Sequence, residues 1–260
     1  MTPILEARGL TMAFPRRGRE ELEAVHDVSF RLERGQALGV VGGSGSGKST
    51  LARLLVRLLD PTAGTLLLDG RDVTRARGAQ LRQVWRSVQM VFQSPAASFD
   101  PRRTLLSAVA EPLQNAGLSR RDAGRQALAL LERCGLDAAL AGRLPRQVSG
   151  GQCQRAAIAR TLAAGPRVLV CDEVTSALDV TVQRQILDLL QTLRREQGLS
   201  FVFISHDLAV VQQFCSHLLV LHQGRAVEQG SVDRLLAHPQ DPYTRALIDA
   251  AWQAAPPPPG

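Results

Sequence analysis

The sequence predicts an α/β fold built on a mainly parallel sheet. Three observations carry this: short apolar runs ending in glycine or acidic residues, intervening stretches with apolar residues at helical spacing, and a glycine-rich turn set directly between one such run and one such stretch. In chain order, residues 37–41 read as a buried strand running into glycines, and residues 49–59 as a helix. Residues 65–68 form a strand broken by Asp69-Gly70, a pair suited to a tight hairpin turn. Residues 88–92 are a further strand. From Ser94 to Ala164 the pattern turns mainly helical, with loops marked by Pro101, Pro112 and Pro145, and reads as an inserted helical subdomain. Strands return at 168–171, 201–205 and 217–221, with a helix at 181–195 between the first two. The proline-rich end, residues 254–259, cannot form helix and is expected to be loose.

Composition bounds the function. With 260 residues and 45% apolar content, the chain can build a packed core without metals or disulfides. Cys134, Cys153, Cys171 and Cys215 lie far apart, with no CxxC pair and no zinc spacing, which predicts four reduced thiols in a reducing, cytosolic compartment. The N-terminus, MTPILEARGL, does not read as a signal peptide, and no apolar run approaches the roughly 18 residues that cross a bilayer. Net charge is +7, but the basic residues are scattered and aromatics make up only 4%, so no nucleic-acid partner is expected. Of 31 basic residues, one is lysine, Lys48, and the other 30 are arginine. An ammonium is a compact point charge and a guanidinium a wide, flat fork, so Lys48 marks a site that needs the narrow tip.

Lys48 sits in Gly42-Gly43-Ser44-Gly45-Ser46-Gly47-Lys48-Ser49, which fits G-x4-G-K-[ST] directly after a strand and before a helix. The glycines let successive backbone N–H groups turn inward on phosphate oxygens, and the helix N-terminus, reaching through Thr50, adds its positive partial charge. Lys48 is expected on the β- and γ-phosphates of ATP and the Ser49 hydroxyl on Mg2+. Residues 168–173 are an apolar strand ending in Asp172 and Glu173. In isolation that is a strand capped by solvated acids; coupled to a phosphate loop, Asp172 can hold Mg2+ and Glu173 can act as general base on the attacking water. Val148-Ser149-Gly150-Gly151-Gln152 precedes a helical run at 153–162. Ser149 reads as its N-cap, and the glycines expose N–H groups at a second anion-binding helix start. One phosphate loop plus a second, separate cradle predicts a composite site in which two subunits each offer this segment to the other's ATP.

With these motifs together, the chain resembles an ATP-binding subunit of an ABC transporter over nearly its whole length. The resemblance implies a P-loop NTPase (RecA-like) core with a mainly parallel sheet, an N-terminal antiparallel β subdomain and an inserted α-helical subdomain. It also implies one ATP-binding domain over 1–260: a nucleotide-binding core at 1–93 and 165–230, a helical signature subdomain at 94–164, and a C-terminal extension at 231–260. Gln93 resembles the glutamine that senses Mg2+ and water and links to the membrane subunits. Residues 149–152 resemble the family signature, and Ser176-Ala177-Leu178-Asp179 the loop that crosses the dimer interface. His206 resembles the switch histidine on the γ-phosphate. Phe14 lies where the family places an aromatic ring against adenine, and a core role is open to it as well. Cys153, Val148, Val174 and Phe14 depart from the usual arginine, leucine, proline and tyrosine. None of these changes removes a group that meets phosphate, metal or water.

Residues 88–95, Asp100-Pro101-Arg102 and the segment His238-Pro239-Gln240-Asp241-Pro242-Tyr243-Thr244-Arg245-Ala246-Leu247 resemble the oligopeptide, dipeptide and nickel importers. That likeness implies uptake of peptides, nickel or metal chelates, with another small solute as the substrate alternative and a soluble non-transport ABC ATPase as the class alternative. A P-loop kinase leaves the Ser-Gly-Gly-Gln segment without a role. The implied partners are transmembrane permease subunits, a second ATPase subunit (identical or a sibling) and, indirectly, a substrate-binding protein. The implied location is the cytoplasmic face of the inner membrane, with a permease contact near residues 93–103. No cysteine-rich C-terminal extension is seen, so no iron–sulfur cluster is expected.

Overall fold

The structure, a computed structural model, describes residues 2–15, 21–176 and 178–254. Ala177 and the prolines of the tail therefore lie outside the described residues. The chain divides into two compact units, Met1–Trp85 with Ser200–Gly260, and Arg86–Leu199.

The first unit opens with strands β1 (Leu5–Phe14) and β2 (Leu22–Leu32), which pair antiparallel. Strand β3 (Ala37–Val41) is buried at every position and leads through the glycine turn into helix α1 (Lys48–Leu55). Strand β4 (Ala63–Leu68) returns antiparallel to β1, and β5 (Arg71–Asp72) folds back on β4. The turn between them has Asp69 at φ 52° and Gly70 at φ 74°, two successive left-handed residues as a tight primed hairpin turn requires. Helix α2 (Gly78–Ser87) ends this stretch. After the second unit the chain returns to the first as β8 (Ser200–Ile204).

The second unit carries β6 (Val88–Val91), a 3-10 turn at Pro95–Ser98, α3 (Leu105–Asn115), α4 (Arg120–Arg133), α5 (Ala138–Ala141), a second 3-10 turn at Pro145–Gln147, and α6 (Gly150–Leu162). Strand β7 (Val168–Asp172) pairs parallel with β6, and α7 (Val180–Gln197) follows. Side-chain oxygens of Thr104, Ser119, Asp137, Ser149 and Asp179 cap α3 to α7 in turn, so each helix begins where the sequence offers an acceptor. The first unit is completed by β8, α8 (Leu208–Phe214), β9 (His217–His222), β10 (Arg225–Ser231), α9 (Val232–Ala237) and α10 (Pro242–Ala254). Its central strands run in the order β10-β9-β3-β8, with β3 parallel to both β8 and β9 and β10 antiparallel at the edge.

This is the predicted α/β architecture, with parallel central strands, antiparallel N-terminal strands and helices in the middle of the sequence. Three local expectations need correction. Pro112 marks no loop: it sits inside α3, where buried Leu105, Val109 and Leu113 hold the helix despite the missing N–H. The helix expected over 49–59 stops at Leu55 because Arg57 turns left-handed at φ 56°. Arg57 is buried there, donating Nε to the Val73 carbonyl at 2.9 Å and Nη1 to Asp60 at 2.7 Å. Finally, Ala254 belongs to α10 and not to the proline-rich tail.

Candidate functional site

In the first unit, the site is built at the C-terminal ends of parallel strands, where α/β folds place their ligands. Val40 of β3 pairs with Ile204 of β8, and the Ser205 N–H donates to the Val40 carbonyl at 3.2 Å. Two residues beyond that register stand Gly42, which opens the phosphate loop, and His206, exposed in the short turn before α8. Asp207 rigidifies that turn: its N–H donates to Ser205 Oγ at 3.0 Å, and its Oδ1 accepts from Ala209 N–H at 2.9 Å. Backbone register thus sets His206 and Gly42 at the same end of two adjacent parallel strands.

The loop needs its glycines for different reasons. A Cβ at Gly42 would stand 2.1 Å from the Leu221 carbonyl oxygen, and one at Gly47 2.2 Å from that of Ala24. Both have positive φ, 154° and 100°, so these positions exclude side chains on conformation and on space. Lys48 is 7% exposed, and its Nζ donates to the carbonyls of Gly42 and Gly43, both at 2.8 Å, and to Ser46 Oγ at 3.3 Å. The single ammonium of the chain is therefore held at the centre of the loop. Ser44, Gly45 and Ser49 are exposed along it, Ser46 is buried and Thr50 lies half-buried in α1.

The start of α1 differs from those of α3 to α8, which side chains cap. Its N-cap is Gly47, with no side-chain cap among the described residues and no acidic residue in the first turn. The positive end of its dipole faces the loop, the arrangement that binds phosphate.

The second unit brings its residues together by the same logic of register. Val91 of β6 pairs with Cys171 of β7. Two residues further on, Gln93 meets Glu173, and the Gln93 Nε2 donates to Glu173 Oε2 at 2.7 Å. Asp172 ends β7 and is 6% exposed. Glu173 takes a left-handed φ of 48°, rare for a residue with a Cβ, and its carbonyl accepts from Ser176 Oγ at 3.0 Å. The acid is thus aimed by a strained turn, and Gln93 holds its carboxylate.

Ser149 and Gln152 form a reciprocal capping box at the start of α6. Ser149 Oγ accepts from Gln152 N–H at 3.2 Å, and Gln152 Oε1 accepts from Ser149 N–H at 2.9 Å. Gly151 is buried, and a Cβ there would stand 2.4 Å from Val182 Cγ1 on α7. Gly150 is exposed, and a Cβ there meets nothing within 4 Å among the described residues. Asp179 caps α7 through Val182 N–H at 2.9 Å. Val174, in the place of the usual proline, is buried at 2% exposure, as is Cys153. Burial raises the Cys153 thiol above its ordinary value, against a smaller opposing effect of Arg160. Phe14 closes β1 opposite Leu22 and is half-buried.

Residues 25–176 match the family described as ABC transporter. The chain belongs to the ABC transporter family. It is 49% identical over 231 residues to a probable peptide ABC transporter ATP-binding protein, y4tS, of Sinorhizobium fredii, spanning 88% of this chain and 65% of that protein. It is 46% identical over 231 residues to the oligopeptide transport ATP-binding protein OppF of Salmonella typhimurium, spanning 88% and 69%. The glutathione import ATP-binding protein GsiA of the same organism is 43% identical over 261 residues, and this chain spans 42% of its length. Among solved structures, the dimeric post-hydrolysis ATP-binding cassette MJ0796, bound to ADP and Pi, superposes with a TM-score of 0.81 at 29% identity, over 88% of this chain and 98% of that one.

Two contributors went unassigned in the sequence. Tyr243 donates no motif chemistry in an obvious way, yet its hydroxyl accepts from the Gly43 N–H at 2.7 Å. His222 lies against Tyr243, ring centroids 3.8 Å apart. The available signal was the conspicuous segment His238–Leu247 itself, which resembled a group of importers without revealing what it touches.

Proposed function

We propose that the chain binds and hydrolyses ATP as a subunit of an importer that takes up peptides. The observation that carries this is the glycine loop that runs into the start of α1 and holds the chain's single lysine by its own carbonyls. The relatives named for peptides and for glutathione, itself a tripeptide, favour a peptide cargo over nickel.

In this reading the loop residues Gly42 to Thr50 cradle the triphosphate, and Lys48 neutralises its β- and γ-phosphates. Ser49, Gln93 and Asp172 would hold Mg2+, an all-oxygen donor set that suits a hard cation. No cluster of three His, Cys, Asp or Glu side chains able to hold a metal occurs among the described residues, so the set also needs phosphate and water oxygens, as Mg2+ prefers. The ion supplies charge compensation on the phosphates. Glu173, held by Gln93, polarises the attacking water, and His206 steadies the γ-phosphate.

Ser149, Gly150, Gly151, Gln152 and Asp179 act in trans, on the nucleotide of a second ATPase subunit. Gly150 supports this: among the described residues nothing stands within 4 Å of where its side chain would be, so its bare backbone is open to a group that approaches from outside. Phe14 stacks on adenine. Residues 94–164 move as the helical subdomain and, with the surface at 93–103, pass closure to transmembrane permease subunits at the cytoplasmic face of the inner membrane. A substrate-binding protein delivers the cargo. No helix among the described residues is long and apolar enough to cross a membrane, so the membrane passage falls to those partners.

The test is phosphate release from Mg-ATP by the full chain and by Glu173→Gln. The variant is expected to lose at least about a hundredfold in turnover while keeping its ATP affinity, the scale of a lost general base. Turnover equal to wild type would remove the assignment. Loss of labelled tripeptide uptake on deleting the chain, restored by wild type and not by Glu173→Gln, tests the cargo class.

A further inference from the structure

We propose that Tyr243 is a positioning residue of the nucleotide site, holding the phosphate loop in its binding shape from the C-terminal segment. This rests on the reading that residues 42–49 bind a nucleoside triphosphate. The Gly43 N–H donates to the Tyr243 hydroxyl at 2.7 Å, and a Cβ on Gly43 would come within 3.1 Å of the same oxygen. The Tyr243 ring is set by His222, with centroids 3.8 Å apart and planes tilted by 35°. His222 ends β9 one residue after Leu221, whose carbonyl is what excludes a side chain from Gly42. One strand end and one phenol therefore fix two successive residues at the mouth of the loop.

The phenol is delivered by a braced turn. Asp241 Oδ1 accepts from the N–H groups of Tyr243 at 2.8 Å and Thr244 at 3.3 Å, fixing the first turn of α10. The Glu228 carboxylate on β10 accepts from the N–H groups of Gln240 at 3.0 Å and Asp241 at 3.1 Å. Arg245 Nη2 donates to the Pro239 carbonyl at 3.3 Å and closes the same turn. Tyr243 is half-buried and reaches the loop from a segment outside both the loop and its flanking strand and helix.

The physical reason for such a prop lies in the loop's composition. Gly42, Gly43, Gly45 and Gly47 are the residues that lose most conformational freedom when ordered. An external acceptor on Gly43 holds the outer turn before a nucleotide arrives, so less ordering opposes binding. Tyr243 thereby ties the C-terminal extension to the affinity of the nucleotide site.

The experiment compares the full chain, wild type and Tyr243→Phe, which deletes one oxygen and keeps the ring, with Lys48→Ala as reference. Affinity is read with trinitrophenyl-ATP, ATPase by phosphate release, and amide exchange at Gly43 by mass spectrometry or NMR. Losing a neutral hydrogen bond predicts an affinity about three- to tenfold weaker, with KM for ATP raised in proportion and kcat unchanged within about twofold. Exchange at Gly43 should accelerate while exchange at Gly39 in β3 stays slow. A merely structural role would lower the active fraction without moving KM. Unchanged affinity in Tyr243→Phe, beside a Lys48→Ala variant that has lost binding, overturns the role of Tyr243 and leaves the nucleotide site standing. Wild-type affinity in Lys48→Ala would instead overturn the nucleotide reading, and the proposal with it.

Discussion

Gly150 and Gly151 are neighbours in one motif, yet the structure predicts opposite consequences for adding the same methyl group to each. At Gly151 the new Cβ would lie 2.4 Å from Val182 Cγ1. Carbon atoms in contact sit about 3.5–4.0 Å apart, so more than 1 Å of overlap must be relieved. Val182 cannot simply swing aside, because a β-branched side chain in a helix has one strongly preferred rotamer. Its backbone is tied too, its N–H donating to the Asp179 cap at 2.9 Å. The packing of α6 on α7 must open, which overpacking series place at about 1–3 kcal/mol. At Gly150 the methyl meets nothing within 4 Å among the described residues, and replacing glycine by alanine near a helix start is worth at most about 1 kcal/mol in favour of folding. Urea unfolding followed by circular dichroism separates the two. Gly151→Ala should unfold at clearly lower urea than wild type, and Gly150→Ala at the same concentration or higher, while both lose nucleotide-driven pairing. A Gly151→Ala variant as stable as wild type, or a Gly150→Ala variant destabilised by more than about 1 kcal/mol, would refute this account of the motif.

Lys48→Arg tests the loop's demand for a narrow cation: it keeps the charge, yet ATP affinity should fall by about ten- to a hundredfold, the scale of losing hydrogen bonds to a charged group. Measured by trinitrophenyl-ATP binding, an affinity within twofold of wild type would contradict it. Glu228 supplies a pH signature. Burial alone would raise its carboxyl, but the N–H groups of Gln240 and Asp241 outweigh that and hold it below its ordinary value of 4.5. A lowered folded pKa means the contribution to stability is full above about pH 4.5 and is lost as pH falls through the folded value. Acid unfolding of Glu228→Gln should therefore start from lower stability near neutrality and show a shallower fall below pH 4.5 than wild type. Identical acid profiles would rule the carboxylate out as the brace of the 238–241 turn.

Much of this arrangement was legible in the sequence because it rests on strongly patterned elements. The buried runs that became β3, β6, β7, β8 and β9 are short, apolar and bounded by turn or acidic residues, so only their ends were misplaced by a residue or so. Ser149 was legible as the N-cap of α6, and the structure adds Gln152 as its reciprocal partner. The pairing of β6 with β7 then joins Gln93 to Glu173, two residues past a paired strand position, a contact the sequence did not show.

Other features could not be read locally. The strands β1 and β2 are half-exposed and bulged, so their alternation is broken and they came only with the family resemblance. Pro112 looked like a helix breaker because a sequence shows the missing N–H and not the packing of α3 that tolerates it. Arg57 carries no local mark of a helix stop, and its left-handed φ and buried guanidinium end α1 early. Tyr243 lies two hundred residues from Gly43, and only the fold brings an aromatic hydroxyl to that amide.

The central claim, that ATP is held between two cassettes, is tested most directly by sedimentation of the Glu173→Gln chain with Mg-ATP, alone and mixed with a sibling ATPase subunit. A nucleotide-dependent dimer is predicted, in one mixture or the other, and it should vanish in the Glu173→Gln, Gly150→Ala double variant. A strictly monomeric chain in every mixture, with ATP bound, would contradict it.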